Sequence, residues 1–411
     1  MEKTYIIGVG MSHFGRFLDR SLADITGEAV SEALADSGLT RNDIDAAYFA
    51  NSTQGVVEGQ HLVRGQLALR KLGFQNLSVT NVENACASGS SALNAAVAHV
   101  ASGQGDVALA VGADKMNATD RNLSFAIFDG AWDVSDIDGQ IARLASLAQG
   151  VQPPERPQEP GQRSVFMDVY AALARFHMAT FGTTQSDIAH VAAKNHSHSA
   201  LNPKAQYRNA MTVDEVLSAR EISWPLTLPM CAPISDGAAA AIVVSEKKAR
   251  QIGLARAVQV AASVQATGSD RAPEELDRHI CRRAVDRAYE LSGIAPEDVS
   301  VVEVHDATAF AELQQAELLR LCPMGEGGRL AASGATALGG RIPINVSGGL
   351  ESRGHPIGAT GLAQVYELVS QLRGEAGARQ VEGARIAVQE NGGGLVGLEE
   401  ATAAVSILAK Q

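Results

Sequence analysis

The 411-residue sequence lacks the features that mark membrane-spanning and nucleic-acid-binding proteins. No apolar run reaches the roughly 18 residues that a membrane-spanning helix needs, and the first residues show no basic segment followed by a long apolar core. Positive charge is scarce, since 34 Lys and Arg stand against 46 Asp and Glu and the formal net charge is -12. This balance argues against nucleic acids and anionic membrane surfaces as partners. We expect a soluble, cytoplasmic protein in which an anionic substrate needs a local basic patch.

Cysteine is also sparse, and the four residues are far apart: Cys86, Cys231, Cys281 and Cys322. They form no CxxC pair, and no histidines cluster near them at zinc-binding spacing, so we predict reduced thiols and no bound metal. Hydrophobic residues make up 45% and charged residues 19%, which is ordinary for a globular protein. The length exceeds that of a usual single core and predicts two or three packed units.

Strand-like and helix-like segments alternate through most of the chain, which is typical of a layered α/β protein. The regularity fails between about residues 118 and 228, where the proline-rich segment AQGVQPPERPQEPGQRS predicts a surface loop. It returns at SDGAAAAIVVSEKKARQIGL, which predicts a strand and a helix. We predict an N-terminal half, an inserted loop domain, the end of the N-terminal half and a C-terminal half, at 1–117, 118–228, 229–257 and 258–411 respectively.

Cys86 has the most favourable setting for a nucleophile. It stands in NVENACASGSSALNAAVAHV, where a polar, turn-like stretch meets a predicted helix of small residues. Helix N-termini carry unpaired N–H groups and partial positive charge, which favour a thiolate and offer donors to an oxyanion. Most free cysteines are inert packing, and that is our interpretation of Cys281 and Cys322. Cys231 stays open, since its loop could line the same pocket.

Two downstream histidine motifs supply partners for this thiol. His355 lies in GGLESRGHPIGATGL at a predicted helix start, where the helix end keeps an imidazole neutral, although the glycines alone would also suit turns. His305 follows a predicted strand at 299–304, a common place for chemistry in α/β proteins. Asp306 could orient a ring, or the pair could be a plain structural hydrogen bond. Among the other histidines, His61 is the one to check for proximity to the site.

Glycines and a short internal echo complete the pattern. The segment QENGGG at 389–394 follows a predicted strand, and a glycine amide there could either serve a turn or approach an oxyanion. Asn81-Val82 precedes the helix of Cys86, as Asn345-Val346 precedes the predicted helix of His355. An internal duplication of this kind would bring two helix N-termini to one central site.

In this order, ACASGSSA around Cys86, SDGAAAA at 235–241, the His305-Asp306-Ala307 segment, GHPIGATG at 354–361 and GGG at 392–394 resemble the thiolase superfamily along nearly the whole chain. The His-Asp pair is most similar to that of the sterol-carrier-protein type and its bacterial and archaeal relatives. The resemblance implies a five-layered αβαβα thiolase fold built from two duplicated halves, with an inserted loop domain that contacts coenzyme A and the acyl chain, notably around 124–132 and 167–176.

The resemblance also implies roles for single residues. Cys86 is expected to accept the acyl group and His355 to act as its base. His305 and His355 would bind the thioester oxygen, while the amides of Cys86 and Gly392 would form a second oxyanion hole. Two further motif residues are expected at the substrate: Ser235 and Gly354. The resemblance further implies a homodimer or homotetramer, coenzyme A as substrate without a permanently bound cofactor, and, as in related proteins, a small OB-fold, zinc-ribbon partner.

One departure from the family pattern bears on the reaction. Thiolases normally carry a second cysteine that exchanges a proton with the acetyl-CoA carbon, in the His-Asp motif or in the terminal glycine-rich motif. Here those places hold Ala307 and Glu390-Asn391. General acid–base help is worth ~10²- to 10⁴-fold, so a substitute or a changed reaction is expected. Glu390 and His305 are the candidates for this role.

The leading hypothesis is an acyl-CoA C-acyltransferase that makes or cleaves a carbon–carbon bond next to a thioester or ketone carbonyl through an acyl intermediate on Cys86. The reaction would be thiolysis of a 3-oxoacyl-CoA or the reverse condensation. Two alternatives stay open. One is an aldolase-type reaction or acyl transfer to a non-CoA carbon on the same fold, and the other is a non-catalytic acyl-CoA or lipid-binding subunit.

Overall fold

Strands and helices alternate along the chain in the structure, a computed structural model that describes residues 2–154 and 164–411. The strands in these ranges are β1 (Thr4–Met11), β2 (Ala46–Ala50), β3 (Ser78–Val82), β4 (Val107–Asp114), β5 (Glu221–Ser223), β6 (Leu226–Thr227), β7 (Gly237–Ser245), β8 (Val258–Thr267), β9 (Val301–Glu303), β10 (Ile386–Gly393) and β11 (Thr402–Lys410). The α-helices are α1 (Leu22–Ser37), α2 (Gln54–Val57), α3 (Arg64–Lys71), α4 (Ser88–Ala101), α5 (Arg121–Ala126), α6 (Ile137–Leu147), α7 (Val165–Phe181), α8 (Gln185–Ala200), α9 (Val213–Ser218), α10 (Glu246–Ile252), α11 (Ile280–Ser292), α12 (Ala309–Leu318), α13 (Gly327–Ala332) and α14 (Thr360–Arg373).

The two halves of the chain contribute the same strand pattern to one nine-stranded sheet, whose order is β3-β2-β4-β7-β1-β8-β11-β10-β9. In the first half β2 pairs in parallel with β3 and β4, and β7 is antiparallel to both β4 and β1. In the second half β9 is parallel to β10 and to a bridge at Ile344, and β11 is antiparallel to both β10 and β8. Antiparallel pairing of β1 with β8 joins the halves. The predicted duplication is confirmed.

Helices cover both faces of this sheet and also lie between its halves. Helix α1 packs its apolar face on β1, β4 and β7, while α11 packs on β8 and β11. Between the two halves lie α4 and α14, whose buried residues contact strands of both. The resulting order is helix, strands, helices, strands, helix, which confirms the five-layered αβαβα prediction.

The two central helices approach each other closely at their N-terminal ends. A Cβ atom at Gly89 would lie 2.8 Å from the carbonyl oxygen of Gly358, and one at Gly361 would overlap the hydroxyl of Ser90. Glycine is therefore required at both positions. The ends of α4 and α14 meet at one place, as the internal echo in the sequence predicts.

The region between β4 and β7 contributes no strand to the large sheet within the described residues. It holds α5 to α9 and the small β5–β6 hairpin, and α7 and α8 pack against α12 of the second half. Tyr170 lies in α7 and His190 in α8, while the domain boundaries stay a prediction. Residues 155–163 of the predicted proline-rich loop lie outside the described residues. Nowhere in the described ranges is a helix both long enough and apolar enough to cross a membrane.

Candidate active site

A cavity of about 1660 Å³ opens between the two halves and the inserted region, and its wall includes Cys86, His305 and His355. The Cys86 sulfur and one ring nitrogen of each histidine lie within 4.8 Å of one another. The three residues lie 50 to 269 residues apart in the sequence. The structure thus brings together the nucleophile, base and auxiliary histidine that the sequence predicts.

Cys86 is held by a tight turn between β3 and α4, which we call the nucleophile turn (residues 82–86). Ala85 adopts a left-handed conformation with φ of 47°, unusual for a residue with a side chain. The turn is closed by the amides of Ala87 and Ser88, which donate to the carbonyls of Asn84 and Ala85 at 3.0 and 3.1 Å. The geometry places the thiol at the cavity surface, two residues before the helix begins.

The Cys86 thiol is protonated at rest, contrary to the expectation of a helix-stabilised thiolate. Burial, together with the carboxylates of Asp114 and Glu83, raises its pKa to about 12. The amides of Cys86 and Gly394 act on the sulfur in the opposite sense but are outweighed. A proton must therefore leave this sulfur during attack, and a base has to be in contact with it.

His355 is the titratable group in contact with this sulfur, since its Nε2 lies 3.3 Å from the sulfur atom. Its Nδ1 contacts the hydroxyl oxygen of Thr360 at 2.7 Å, and that hydroxyl donates its hydrogen to the carbonyl of Pro356 at 2.9 Å. Since the single hydroxyl hydrogen is used there, Nδ1 of His355 must donate to Thr360. The proton on Nδ1 leaves Nε2 as an acceptor facing the thiol.

The neutrality of His355 has a different cause from the one predicted. The ring is buried, and burial is the main reason that its pKa lies well below the ordinary value, with His305 and Arg353 adding to the effect. His355 is not at a helix start, since α14 begins at Thr360 and a short 3₁₀ turn, Ile357–Ala359, comes first. Desolvation rather than a helix end keeps the imidazole uncharged.

His305 stands beside His355, with the two rings edge to face and their centroids 5.4 Å apart. Burial lowers its pKa to about 4, and neither ring nitrogen has a partner among the described residues. Asp306 does not orient this ring. Its carboxylate instead accepts from the amide of Leu350 at 2.7 Å and from the side chain of Asn195 at 3.2 Å. The unpartnered nitrogens of His305 are free to meet a substrate oxygen.

The glycine-rich segment requires two corrections. Gly392 lies inside the ladder of β10 with β11, opposite Ala403, and the amide that acts on the Cys86 sulfur is that of Gly394. Glu390 is completely buried outside the cavity wall, where it accepts from the backbone amide of His305 at 3.0 Å. It holds the His305 main chain in place.

Ser235 and Gly354 lie behind His355 rather than in the cavity wall, which corrects the expectation that they contact substrate. The amide of His355 donates to the hydroxyl of Ser235 at 2.9 Å, and a Cβ at Gly354 would lie the same distance from that hydroxyl. Cys231 does line the cavity, with its thiol 3.5 Å from the carbonyl of Thr227. His61 is exposed and outside the wall.

Several wall residues had no place in the sequence analysis. Parts of the regions 124–132 and 167–176 form the wall, as predicted, and three exposed arginines join them: Arg16, Arg121 and Arg220. Glu400 and Thr360 were missed as well. Thr360 could have been found as the hydroxyl at the first turn of the helix after GHP, whereas the arginines and Glu400 carry no local signal because they meet only in the folded chain.

The duplicated α/β fold is the fold of the thiolases, and it defines the class to which this chain belongs. The chain matches "Thiolase, N-terminal domain" over residues 4–216 and "Thiolase C-terminal domain-like" over residues 262–410. It belongs to the thiolase family, and it is a thiolase-family acyltransferase.

Relatives with assigned names cover most of the chain. The acetyl-CoA acetyltransferase of Methanothermobacter thermautotrophicus is 38% identical over 416 residues, 100% of both chains. Sterol carrier protein 2 of Oryctolagus cuniculus is 36% identical over 95% of this chain and 70% of its own length. The benzoylsuccinyl-CoA thiolase subunit BbsB of Thauera aromatica is 36% identical over 93% of this chain and 92% of its own.

Two solved structures share the fold. The Ltp2-ChsH2(DUF35) aldolase superposes with a TM-score of 0.77 at 24% identity, covering 99% of this chain and 98% of that one. Human mitochondrial 3-ketoacyl-CoA thiolase superposes with a TM-score of 0.69 at 17% identity, covering 100% and 99%. The predicted membership of the thiolase superfamily is confirmed, and sterol carrier protein 2 is among the relatives.

Proposed function

We propose that the protein makes or cleaves a carbon–carbon bond next to a thioester or ketone carbonyl through an acyl intermediate on Cys86. The reaction is thiolysis of a 3-oxoacyl-CoA or the reverse condensation of two acyl-CoA molecules. One observation carries the proposal: the Cys86 sulfur lies 3.3 Å from Nε2 of a buried imidazole whose other nitrogen carries the proton. This pair can remove the thiol proton at the moment of attack.

In the cleaving direction the thiol proton moves to Nε2 of His355 as the Cys86 sulfur attacks the ketone carbon. The negative charge develops on the ketone oxygen, next to the unpartnered nitrogens of His305 and the amide of Gly394. Donors that point to this place before the reaction lower the barrier, because they need no reorganisation. The carbon–carbon bond then breaks, and coenzyme A later takes the acyl group from Cys86.

Coenzyme A acts here as a substrate and not as a permanently bound cofactor. The net charge of -12 disfavours an anionic ligand at long range, but Arg16, Arg121 and Arg220 line the cavity and are exposed. Guanidinium groups bind phosphate oxygens well, so these residues are the local basic patch that the sequence analysis requires. The acyl chain would lie against the apolar wall around 124–132 and 167–176.

Acyl transfer to Cys86 is tested directly by mass spectrometry. The protein is incubated with acetyl-CoA and longer acyl-CoA esters, and the intact mass and the Cys86 peptide are measured. An acyl adduct on Cys86 is expected for at least one ester, and Cys86→Ala should remove it. The matched control is Cys322→Ala, a half-buried thiol outside the cavity wall that should leave the adduct intact. Absence of an adduct for every ester tried would sink the proposal.

An aldolase-type reaction is the second candidate, and Ala307 is the observation that favours it, since the family's second thiol is missing there. An aldolase needs no acyl-enzyme, so it would survive Cys86→Ala, whereas the acyltransferase would not. The two reactions are separated by assaying that variant with 3-oxoacyl-CoA and with 3-hydroxyacyl-CoA substrates. A pure acyl-CoA-binding subunit would turn over neither substrate.

A partner protein and a homo-oligomer are also proposed. The name of one relative describes it as a subunit, and the name of one of the solved structures includes a DUF35 component. Exposed apolar side chains lie on α5, on α6 and just before α6: Leu123, Val134, Ile137 and Ile141. A small OB-fold, zinc-ribbon protein would suit this surface. Strand β3 ends the sheet with an unpaired edge that can extend across a homodimer. Native mass spectrometry of protein purified from its own cells tests both, and a bare monomer would contradict them.

A further inference from the structure

The carbon–carbon step needs a group that exchanges a proton with the α-carbon of the thioester, and the residues expected for this role do not reach the substrate. Ala307 has no proton to give, and Glu390 lies outside the cavity wall. His305 carries two unpartnered nitrogens, one of them within 4.8 Å of the Cys86 sulfur, and the proposed reaction uses this residue to bind the oxyanion. A different titratable side chain of the wall has to be considered.

Glu400 is a half-buried carboxyl group in that wall, in the loop between β10 and β11. The same loop begins with Gly394, whose amide acts on the Cys86 sulfur. Gly392 makes room for it, because a Cβ atom there would lie 2.6 Å from Cγ of Glu400. Gly393 packs on the other side, where a Cβ would lie 3.0 Å from the amide nitrogen of Cys86. The adjacent backbones of Gly392 and Gly393 therefore lie close to this carboxyl and to the nucleophile turn, respectively.

The two oxygens of the carboxyl have different neighbours. The side chain of Gln315 donates to Oε1 at 3.2 Å, while Oε2 has no hydrogen-bond partner among the described residues and lies 3.6 Å from Nε2 of the buried His279, whose pKa burial lowers well below the ordinary value. The Tyr170 phenol also lines the cavity, and burial, then Glu400 and then Cys86 raise its pKa, so the two groups lie around one phenol. A carboxyl in the cavity wall with one hydrogen-bonded oxygen and one oxygen beside a neutral imidazole is suited to proton exchange with a ligand.

From these contacts the geometry points to Glu400 as the acid and base for the α-carbon, with Gln315 as its positioning residue. The inference rests on the proposed acyl transfer through Cys86 and names the group that this transfer leaves unassigned. Burial raises the pKa of Glu400 to about 7, and Glu399 adds to this while Arg271 opposes it. Both protonation states are therefore populated near neutral pH, where a general acid or base is most effective.

The step balances in the cleaving direction. The Cys86 sulfur bonds to C3 and the C2–C3 bond breaks, so that its electron pair stays on C2 as the enolate of the CoA thioester. Protonated Glu400 gives its proton to C2 and becomes a carboxylate. Coenzyme A, whose thiol proton has gone to solvent, attacks the acyl group as a thiolate, and the departing Cys86 sulfur recovers the proton held by His355, while the Glu400 carboxylate takes up a proton from solvent. Cys86, His355 and Glu400 each end in the protonation state in which they began.

Glu400→Gln tests the inference, because glutamine keeps the size and the Gln315 contact but cannot exchange the proton. Two readouts are compared: acylation of Cys86 by an acyl-CoA, and hydrogen–deuterium exchange at the α-carbon of acetyl-CoA in heavy water. Acylation should stay within about threefold of wild type, while α-exchange and thiolysis should fall roughly 10²- to 10⁴-fold. Glu400→Asp should restore part of the exchange.

Two rivals are tested in the same assay, Glu390→Gln and Tyr170→Phe, with the exposed Glu382→Gln as the inert control. Thermal melts establish that each variant is folded before it is assayed. The inference is overturned if Glu400→Gln keeps α-exchange within about threefold of wild type, and loss of exchange in a rival alone reassigns the role. Failure of the proposed function itself has another signature, since wild-type protein would then show no acylation of Cys86.

Discussion

The two halves of this duplicated fold present their catalytic residues in opposite environments. The nucleophile turn follows β3, and its residues from Val82 to Cys86 are half-buried or exposed. The corresponding turn of the second half runs from Asn345 to His355, which we call the base turn, and every residue in it is buried. The nucleophile turn follows the outer strand β3, and the base turn follows Ile344, which is bridged to the outer strand β9. Each turn contains a residue with a side chain in the left-handed conformation, Ala85 or Asn345.

The same duplicated framework thus provides an accessible turn for the thiol and a buried turn for the imidazole. In the proposed reaction the thiol meets a large substrate and later passes its acyl group to coenzyme A, which agrees with a turn that is open to the cavity. The base must stay uncharged, so the base turn is dry and packed with ionisable groups, including the buried Arg353–Glu303 pair at 3.1 Å. Burial lowers the pKa of His355 but raises that of Cys86. The two groups are therefore both neutral until substrate arrives.

The largest effect is expected from the open side of the comparison. Cys86→Ala should lower the rate of acyl transfer by at least roughly 10⁴-fold, because the covalent intermediate is lost. Cys322→Ala should stay within about twofold of wild type. Steady-state thiolysis of a 3-oxoacyl-CoA measures both variants. If Cys86→Ala retains a tenth of wild-type activity, Cys86 is not the nucleophile.

The next effect concerns stability and separates the two turns directly. Leu350→Ala should lower the free energy of unfolding by about 2–5 kcal/mol, because Leu350 is completely buried in the base turn. Ala85→Gly in the nucleophile turn should change it by less than about 1 kcal/mol, since glycine adopts the left-handed conformation without strain. Urea unfolding measures both values. Similar losses for the two variants would show that the turns do not differ in packing.

A smaller effect is expected from the contact that sets the tautomer of His355. Thr360→Val keeps the shape but removes the hydroxyl that Nδ1 meets at 2.7 Å. An unmatched N–H costs about 1–1.5 kcal/mol, which corresponds to roughly tenfold in kcat/KM. Thr360→Ser should recover most of the loss, because a hydroxyl returns to the same place. Equal activity of the valine and serine variants would exclude a role for this hydrogen bond.

The smallest effect is a pH dependence of stability that comes from three buried carboxyl groups. Burial raises the carboxyl pKa of Glu303 and Glu400 to about 7 and of Glu390 to about 8, from an ordinary 4.5. Above pH 4.5 the folded chain therefore keeps protons that the unfolded chain has released. The free energy of unfolding that these protonated carboxyls contribute is lost as pH rises through their folded pKa values. His305, lowered to about 4 from 6.5, opposes the trend only below pH 6.5.

The melting temperature should therefore fall between about pH 6.5 and 8. Differential scanning calorimetry across this range measures the slope. The double variant Glu390→Gln, Glu400→Gln should flatten it, because two of the titrating groups are removed. A melting temperature that rises steadily from pH 6.5 to 8 would mean that these carboxyls are ionised in the folded protein.

Much of the fold follows from local patterns. The helix Leu22–Ser37 carries local signals for its ends, a capping Ser21 and a terminal Gly38, and the strand Ala46–Ala50 is a short, largely buried apolar run. The strand predicted at 299–304 is shorter, Val301–Glu303, since the amide of Val304 donates to the side chain of Asn345 instead of continuing the ladder. That contact joins residues far apart, so no local pattern could reveal it.

The same limit applies to the site. Cys86, His355 and His305 were found from the residue types beside them, but Gly392 was chosen where Gly394 acts, and Glu400 was missed. Whether a glycine amide faces the sulfur depends on strand register, which is set by pairing with β11. Whether a glutamate enters the cavity depends on the path of a loop, and neither property has a signal in the neighbouring residues.

By itself the sequence determined the family, the alternation of elements, the duplicated halves and the residues of the thiol–imidazole pair, because these depend on motifs and periodicity along the chain. Only the tertiary structure decided the protonation state of that pair. The pKa values of Cys86 and His355 come from the burial that distant segments impose on them, together with Asp114 for the thiol and His305 and Arg353 for the ring. Desolvation is a property of the assembled fold and not of any segment.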